Sequence, residues 1–270
     1  GARVPGYPLW LEQTDAARFD DVRQKEWFAP YTDQSCEPDR HFKDLAEIAR
    51  EHNMAIVVGC MERALDRGGH SIYCSAVTIG QDGSIQPTHR KLMPTHEERL
   101  VWAQGDGHGL RTNSLPPFHM GVLNCWENWM PLPRAALHAQ GEDLHVAIWP
   151  GNKHNTEEIT RFSAREGRSY VLAASSLMRR EDITDDVPHA DALRAAIPEV
   201  IGNGGSCIAA PDATWVIEPV VGKEELLVAE LDHAFVRRER QNFDISGHYA
   251  RPEVLHLELD QGRHRGLWTK

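Results

Sequence analysis

Apolar positions along this chain come in short runs, separated by polar and turn-forming residues. Residues 1–40 lack a sustained run. Pro5, Gly6, Pro8, Pro30 and Pro38 punctuate them and predict irregular chain. Pro38 fits a first helical turn, and Phe42, Leu45, Ile48 and Ala49 recur at helical spacing, so a helix is predicted over 38–53. The run at 55–60 (AIVVGC) reads as a buried strand. Residues 71–79 and 84–88 flank Gln81-Asp82-Gly83, which predicts a hairpin. Residues 90–116, rich in charge and glycine, read as loop and short helix.

The middle of the chain alternates. A strand over 117–124 runs into Cys125, followed by a helix over 131–140 and a strand over 144–149. A helix over 156–167, capped by Asn155 or Thr156, precedes a strand over 169–175. Residues 179–200 read as charged loop with some helix. Residues 206–210, 214–221 and 226–230 form a second hairpin region, and a polar helix is predicted over 232–241. Strands outnumber helices, so the expected fold is a layered α/β domain with mixed sheets.

Composition narrows the function classes. The 270 residues suit one large domain or two modest ones, and no repeat, low-complexity tract or linker divides them. The net charge of −11 argues against a nucleic-acid or anionic-membrane partner, because phosphates need a basic face. No apolar run reaches the ~18 residues of a membrane helix. Five cysteines, an odd number at wide spacing without a C-x-x-C, read as reduced thiols of a cytoplasmic protein. The 15 histidines are scattered, and no metal site is expected from them.

Two stretches carry candidate chemistry. In Gly121-Val122-Leu123-Asn124-Cys125-Trp126-Glu127-Asn128 an apolar strand ends at a cysteine and a helix starts a few residues later. Such a thiol sits at the carboxyl edge of a sheet and near a helix N-terminus, which favours the nucleophilic thiolate. The alternative for Cys125 is one more small buried hydrophobe. In His89-Arg90-Lys91-Leu92-Met93-Pro94-Thr95-His96-Glu97-Glu98-Arg99 a lysine follows a strand, with carboxylates close behind. A lysine paired with a glutamate in a cleft stabilises a developing anion; the same residues also fit a solvated charge run. The Gly105-x-Gly-x-Gly stretch lacks the strand-to-helix frame of a dinucleotide site, and no P-loop signature occurs.

Together these stretches resemble the nitrilase family of carbon-nitrogen hydrolases. Cys125-Trp126-Glu127 is similar to the family's nucleophile motif, and Arg90-Lys91-Leu92-x-Pro94-Thr95 to its lysine motif, with 34 residues from Lys91 to Cys125. Glu98 stands seven residues after Lys91, where the family has a second glutamate, and Arg99-Leu100-Val101-Trp102 resembles the true nitrilases. Glu166-Gly167-Arg168, Gly204-Gly205-Ser206 and Gly247-His248-Tyr249-Ala250-Arg251-Pro252 match in order.

The resemblance implies a single domain over 1–270, built as a four-layer αββα sandwich. It implies that Cys125, Lys91 and Glu98 are catalytic, that a small nitrile is the substrate, that no metal or cofactor is needed, and that the chain forms homo-oligomers. Trp126, Glu127 and Trp149 are expected to contact substrate, and Trp126, Trp129 and Trp149 suggest an apolar or aromatic nitrile. Counting back from Gly6-Tyr7-Pro8 places the family's first catalytic glutamate at Gly1. The chain is therefore expected to lack its general base and a first strand–helix–strand of roughly 40 residues. Glu12 and Glu26 are poor substitutes by local context. Competing expectations are an amidase or carbamoylase of the same superfamily, a catalytically dead scaffold, and a metal-binding protein.

Overall fold

A computed structural model describes residues 6–265. The first segment departs from the expected irregular chain. It holds a helical turn, α1 (Trp10–Gln13), and a full helix, α2 (Val22–Asp33). Asp21 caps α2 by accepting from the Gln24 N–H at 2.7 Å. Trp27 and Tyr31, four residues apart, bury one face against Trp10 and Leu11. Pro30 lies in the last turn, where its ring removes one donor, while its own carbonyl still accepts from Gln34. The proline therefore marks the end of a helix rather than its absence.

The predicted helix over 38–53 divides at Phe42 into α3 (Pro38–His41) and α4 (Lys43–Glu51). Next come β1 (Ile56–Arg63), β2 (Ile72–Ile79) and the short β3 (His89–Arg90), which make a three-stranded antiparallel sheet. The Asp82-Gly83 turn forms as expected, but the returning strand shrinks to one bridge, Ile79 to Ile85, before β3. Pro87 has no N–H to offer a ladder there.

The second sheet contains β4 (Asn113–Leu115), β5 (Phe118–Asn124), β6 (Leu144–Trp149), β7 (Tyr170–Ser175), β8 (Leu177–Arg179), β9 (Val200–Ala209) and β10 (Trp215–Val221). Its order is β10-β9-β7-β6-β5-β4, with β8 paired to β9. Strands β5, β6 and β7 are parallel, joined through α5 (Pro131–Ala139) and α6 (Lys153–Gly167). The helices α7 (Ala190–Ala196) and α8 (His233–Arg240) complete the set among the described residues. The run at 226–230 forms no strand; Leu226 and Val228 face solvent with no ladder partner.

Strand alternation sorts the side chains into layers. Ala76, Val122 and Ile148, with Val57 and Val146, meet between the two sheets. On the outer face of the small sheet Cys60, Val77 and Ile79 pack against Phe42 and Ala49 of the α3–α4 segment. On the outer face of the large sheet Leu123 meets Ala136 and Leu137 of α5, while Ala147 and Ala173 meet Ile159 of α6. Helix, sheet, sheet and helix therefore stack as an αββα sandwich.

Candidate active site

Three parallel strands end on one edge: β5 at Asn124, β6 at Trp149 and β7 at Ser175. That edge is where open α/β sheets place their ligands. Cys125 follows β5 directly and holds a left-handed backbone, φ 54°. That conformation costs a side-chain-bearing residue roughly 1–2 kcal/mol, and such strain gathers at functional sites. Residues Cys125–Trp129 form a 3-10 turn, and α5 begins only at Pro131. The thiol therefore sits on a sharp strand-to-turn corner and not on the first turn of an α-helix.

Lys91 comes from the end of β3. Its backbone N–H donates to Cys74 of β2 and its carbonyl accepts from Gly105. Arg90 fastens the same segment through Glu62 and Asp66. The Lys91 ammonium is 1% exposed, 2.6 Å from Glu98 Oε2 and 3.0 Å from Thr95 Oγ1. Glu98 also accepts from the Thr95 N–H at 2.6 Å, as the glutamate of a capping box does. Burial alone would lower the ammonium's pKa. The thiols of Cys125 and Cys74, when ionised, and the Glu98 carboxylate outweigh burial and raise it, so Lys91 stays charged.

Glu127, expected to contact substrate, is 1% exposed. Its carboxylate is fully buried and accepts from Asn124 N–H at 3.0 Å, Leu92 N–H at 2.8 Å and His89 Nε2 at 2.8 Å. The side chain joins the Cys125 turn to the segment that carries Lys91. Burial pushes this carboxyl up, but His89 and the two N–H donors outweigh it and hold it below the usual carboxylate range. Trp149 carries the same expectation. It is wholly buried in the cluster with Cys125, Ala147 and Ile159, on the support side of the turn.

A cavity of about 310 Å³ opens above Cys125. Glu98 and Thr95 form one wall, and Pro150, Gly151 and Asn152 after β6 form another. Trp126, half exposed, also lines it. Sequence reasoning missed Tyr7, Leu9, Met178 and Ile201 on the remaining wall, and the Tyr7 hydroxyl donates to Glu12 Oε1 at 2.8 Å. Burial raises the Tyr7 phenol, and Glu98, Glu12 and Cys125, which line the same cavity, add to the shift. Glu12 lies on the cavity lining, whereas Glu26 pairs with His189 on the surface. Gly1, the position matched to the family's first glutamate, lies outside the described residues.

A buried lysine–glutamate pair and a thiol on a strained corner thus meet at one edge of a two-sheet sandwich. Residues 2–241 match the Carbon-nitrogen hydrolase family. The chain is 35% identical over 264 residues to Nitrilase 2 of Arabidopsis thaliana, across 96% of this chain and 77% of that protein. It is 33% identical over 276 residues to an Aliphatic nitrilase of Rhodococcus rhodochrous, across 97% of this chain and 69% of that one. Among solved structures, Saccharomyces cerevisiae Nit3, a member of branch 10 of the nitrilase superfamily, superposes with a TM-score of 0.64 at 19% identity, over 83% of this chain and 77% of that chain. The carbon-nitrogen hydrolase of Helicobacter pylori G27 gives 0.62 at 19%, over 88% and 78%. The chain belongs to the carbon-nitrogen hydrolase family and is an enzyme of the nitrilase type.

Proposed function

We propose that the protein hydrolyses a small nitrile to a carboxylic acid and ammonia, with Cys125 as nucleophile. The observation that carries this reading is the buried Lys91–Glu98 pair coupled to the cavity-lining thiol of Cys125. The thiolate adds to the nitrile carbon, and protonation of the nitrogen gives a thioimidate. Water adds to that carbon, ammonia leaves, and a thioester remains. A second water releases the acid and restores the thiol. Lys91 stabilises the charge that develops on nitrogen, assisted by the backbone N–H of Trp126. Glu98 keeps Lys91 charged and aimed.

Water activation requires a base. With the family's first glutamate falling on Gly1, Glu98 and Glu12 are the carboxylates that the described cavity wall offers. Glu98 is engaged by Lys91 and Thr95, and Glu12 by the Tyr7 hydroxyl. The lining of Trp126, Leu9, Met178 and Ile201 suits an apolar nitrile. Homo-oligomeric assembly in the cytoplasm completes the proposal.

The test is ammonia release from aliphatic and aromatic nitriles with their matched amides alongside. Release from nitriles ahead of amides is expected. Release from amides alone would move the protein to the amidase reading. If folded protein releases no ammonia and Cys125 alkylates no faster than a surface thiol, the fold is a scaffold without catalysis.

A further inference from the structure

Behind the nucleophile corner, away from the cavity, lies a chain of buried polar side chains that the hydrolytic steps above do not use. The Asn128 side-chain amide donates from Nδ2 to the carbonyl of Cys125 at 2.8 Å, and to that of Leu123 at 3.4 Å. This fixes its Oδ1 toward β6, where His145 Nε2 approaches at 2.8 Å. The other ring nitrogen of His145 lies 2.7 Å from Glu142 Oε1. Both ring nitrogens thus face side-chain oxygens. Glu142 Oε2 is 3.4 Å from His138, whose far nitrogen is 3.6 Å from Glu166. Arg134 bonds Glu166 and donates to the Asn128 carbonyl at 2.7 Å, which closes the network onto the same turn.

The surrounding backbone is shaped to admit this network. A Cβ at Gly121 of β5 would overlap Glu142 Oε1, and a Cβ at Gly167, at the end of α6, would press on the His138 ring. Asn128, His145 and Glu142 are each at most 2% exposed. Buried polar groups at that depth are costly unless every partner is in place, so the set acts as a unit.

We propose that Asn128, His145 and Glu142 are positioning residues for the reaction: they hold the Cys125 carbonyl, and through it the left-handed corner that aims the thiol at the cavity. The proposal rests on the reading of Cys125 as nucleophile. Without the Asn128 amide in its fixed orientation, the corner relaxes toward an ordinary backbone and the thiol loses its alignment with Lys91. The relay touches no substrate.

Two replacements of His145 separate positioning from packing. In His145→Gln the amide nitrogen stands near the place of Nε2 and keeps the bond to Asn128; in His145→Asn it stands near Nδ1 and loses that bond. Both variants lose the imidazole, and both are read by thermal midpoint and by the rate of Cys125 alkylation with iodoacetamide. The expected result is a rate within about threefold of wild type for His145→Gln. For His145→Asn the expected loss is tenfold or more, about 1.4 kcal/mol, at a similar midpoint. Equal rates for the two variants would overturn the proposal. Should His145→Asn fail to fold, Asn128→Leu, close in volume and uncharged, removes the donor to the Cys125 carbonyl. It is expected to slow alkylation tenfold, and an unchanged rate would overturn the proposal as well. The parent reading fails separately: wild-type Cys125 would then alkylate no faster than a surface thiol.

Discussion

Glu98 and Glu127 each close a short turn on their own segment while holding a second group, Lys91 for one and His89 with the Leu92 N–H for the other. Lys91 and Cys125 are thus fixed to one another through two buried carboxylates. Glu127→Gln puts an amide N–H against backbone donors and leaves a buried acceptor role unfilled. It is expected to lower kcat about tenfold or more and stability by roughly 2–3 kcal/mol. Steady-state kinetics and thermal denaturation check both, and wild-type values in each would contradict the stapling role. At this scale the proposed reactive groups are legible in the sequence, but their surroundings are not. Lys91, Glu98 and Cys125 lie in short motifs whose chemistry is local. Tyr7 and Glu12 join the cavity from a segment remote in sequence, with no local signal beyond Gly6-Tyr7-Pro8. Glu127 and Trp149 neighbour the Cys125 motif and the β6 edge in sequence, which says nothing of where their side chains pack. Burial turns both inward.

Elements read well where one face alone is buried or where a run is wholly apolar. Strands β5, β6 and β7 and helices α5, α6 and α8 fall within a few residues of expectation. Helix α2 was hidden by Pro30 and by a polar majority, because its stability comes from two aromatic residues docking on Trp10 and not from a continuous stripe. The run at 226–230 has strand-forming residues but forms no ladder among the described residues. Close approach between elements also constrains single positions. A Cβ at Gly105 would overlap the carbonyl of Arg90 and crowd that of Lys91. Backbone must move to admit it, so Gly105→Ala is expected to cost more than about 2 kcal/mol and to displace Lys91. A denaturation midpoint and kcat that both match wild type would contradict this packing.

Over the whole molecule, buried ion pairs set the pH range of stability. Burial would raise Glu142 and Glu166, but His138, His145 and Arg134 hold both down to about 2. Burial would lower His138, but the same two glutamates raise it to about 9. A carboxylate with a lowered folded pKa stabilises fully above its unfolded value, about 4.3, and loses that contribution as pH falls toward 2. A histidine with a raised pKa stabilises fully below its unfolded value, about 6.5, and loses that contribution as pH rises through 9. The thermal midpoint is therefore expected to be highest between about pH 4.5 and 6.5, to fall on both sides, and to lose its alkaline decline in His138→Gln. A midpoint flat from pH 6.5 to 9.5 would contradict the His138 assignment. The layering itself was only partly legible. Alternating runs showed a mixed α/β domain, but which buried face meets the other sheet and which meets a helix depends on pairings such as Ala76 with Val122 and Ile148. No local pattern encodes those pairings.

The central claim is that Cys125 forms the covalent bond to substrate. Intact-mass and peptide mass spectrometry of the protein mixed with a small nitrile and quenched within the first turnovers tests it most directly. The account predicts a mass gain equal to the nitrile, or to its acyl group, on the peptide that carries Cys125, absent in Cys125→Ala together with all ammonia release. An adduct on another residue, or ammonia release retained by Cys125→Ala, would contradict it.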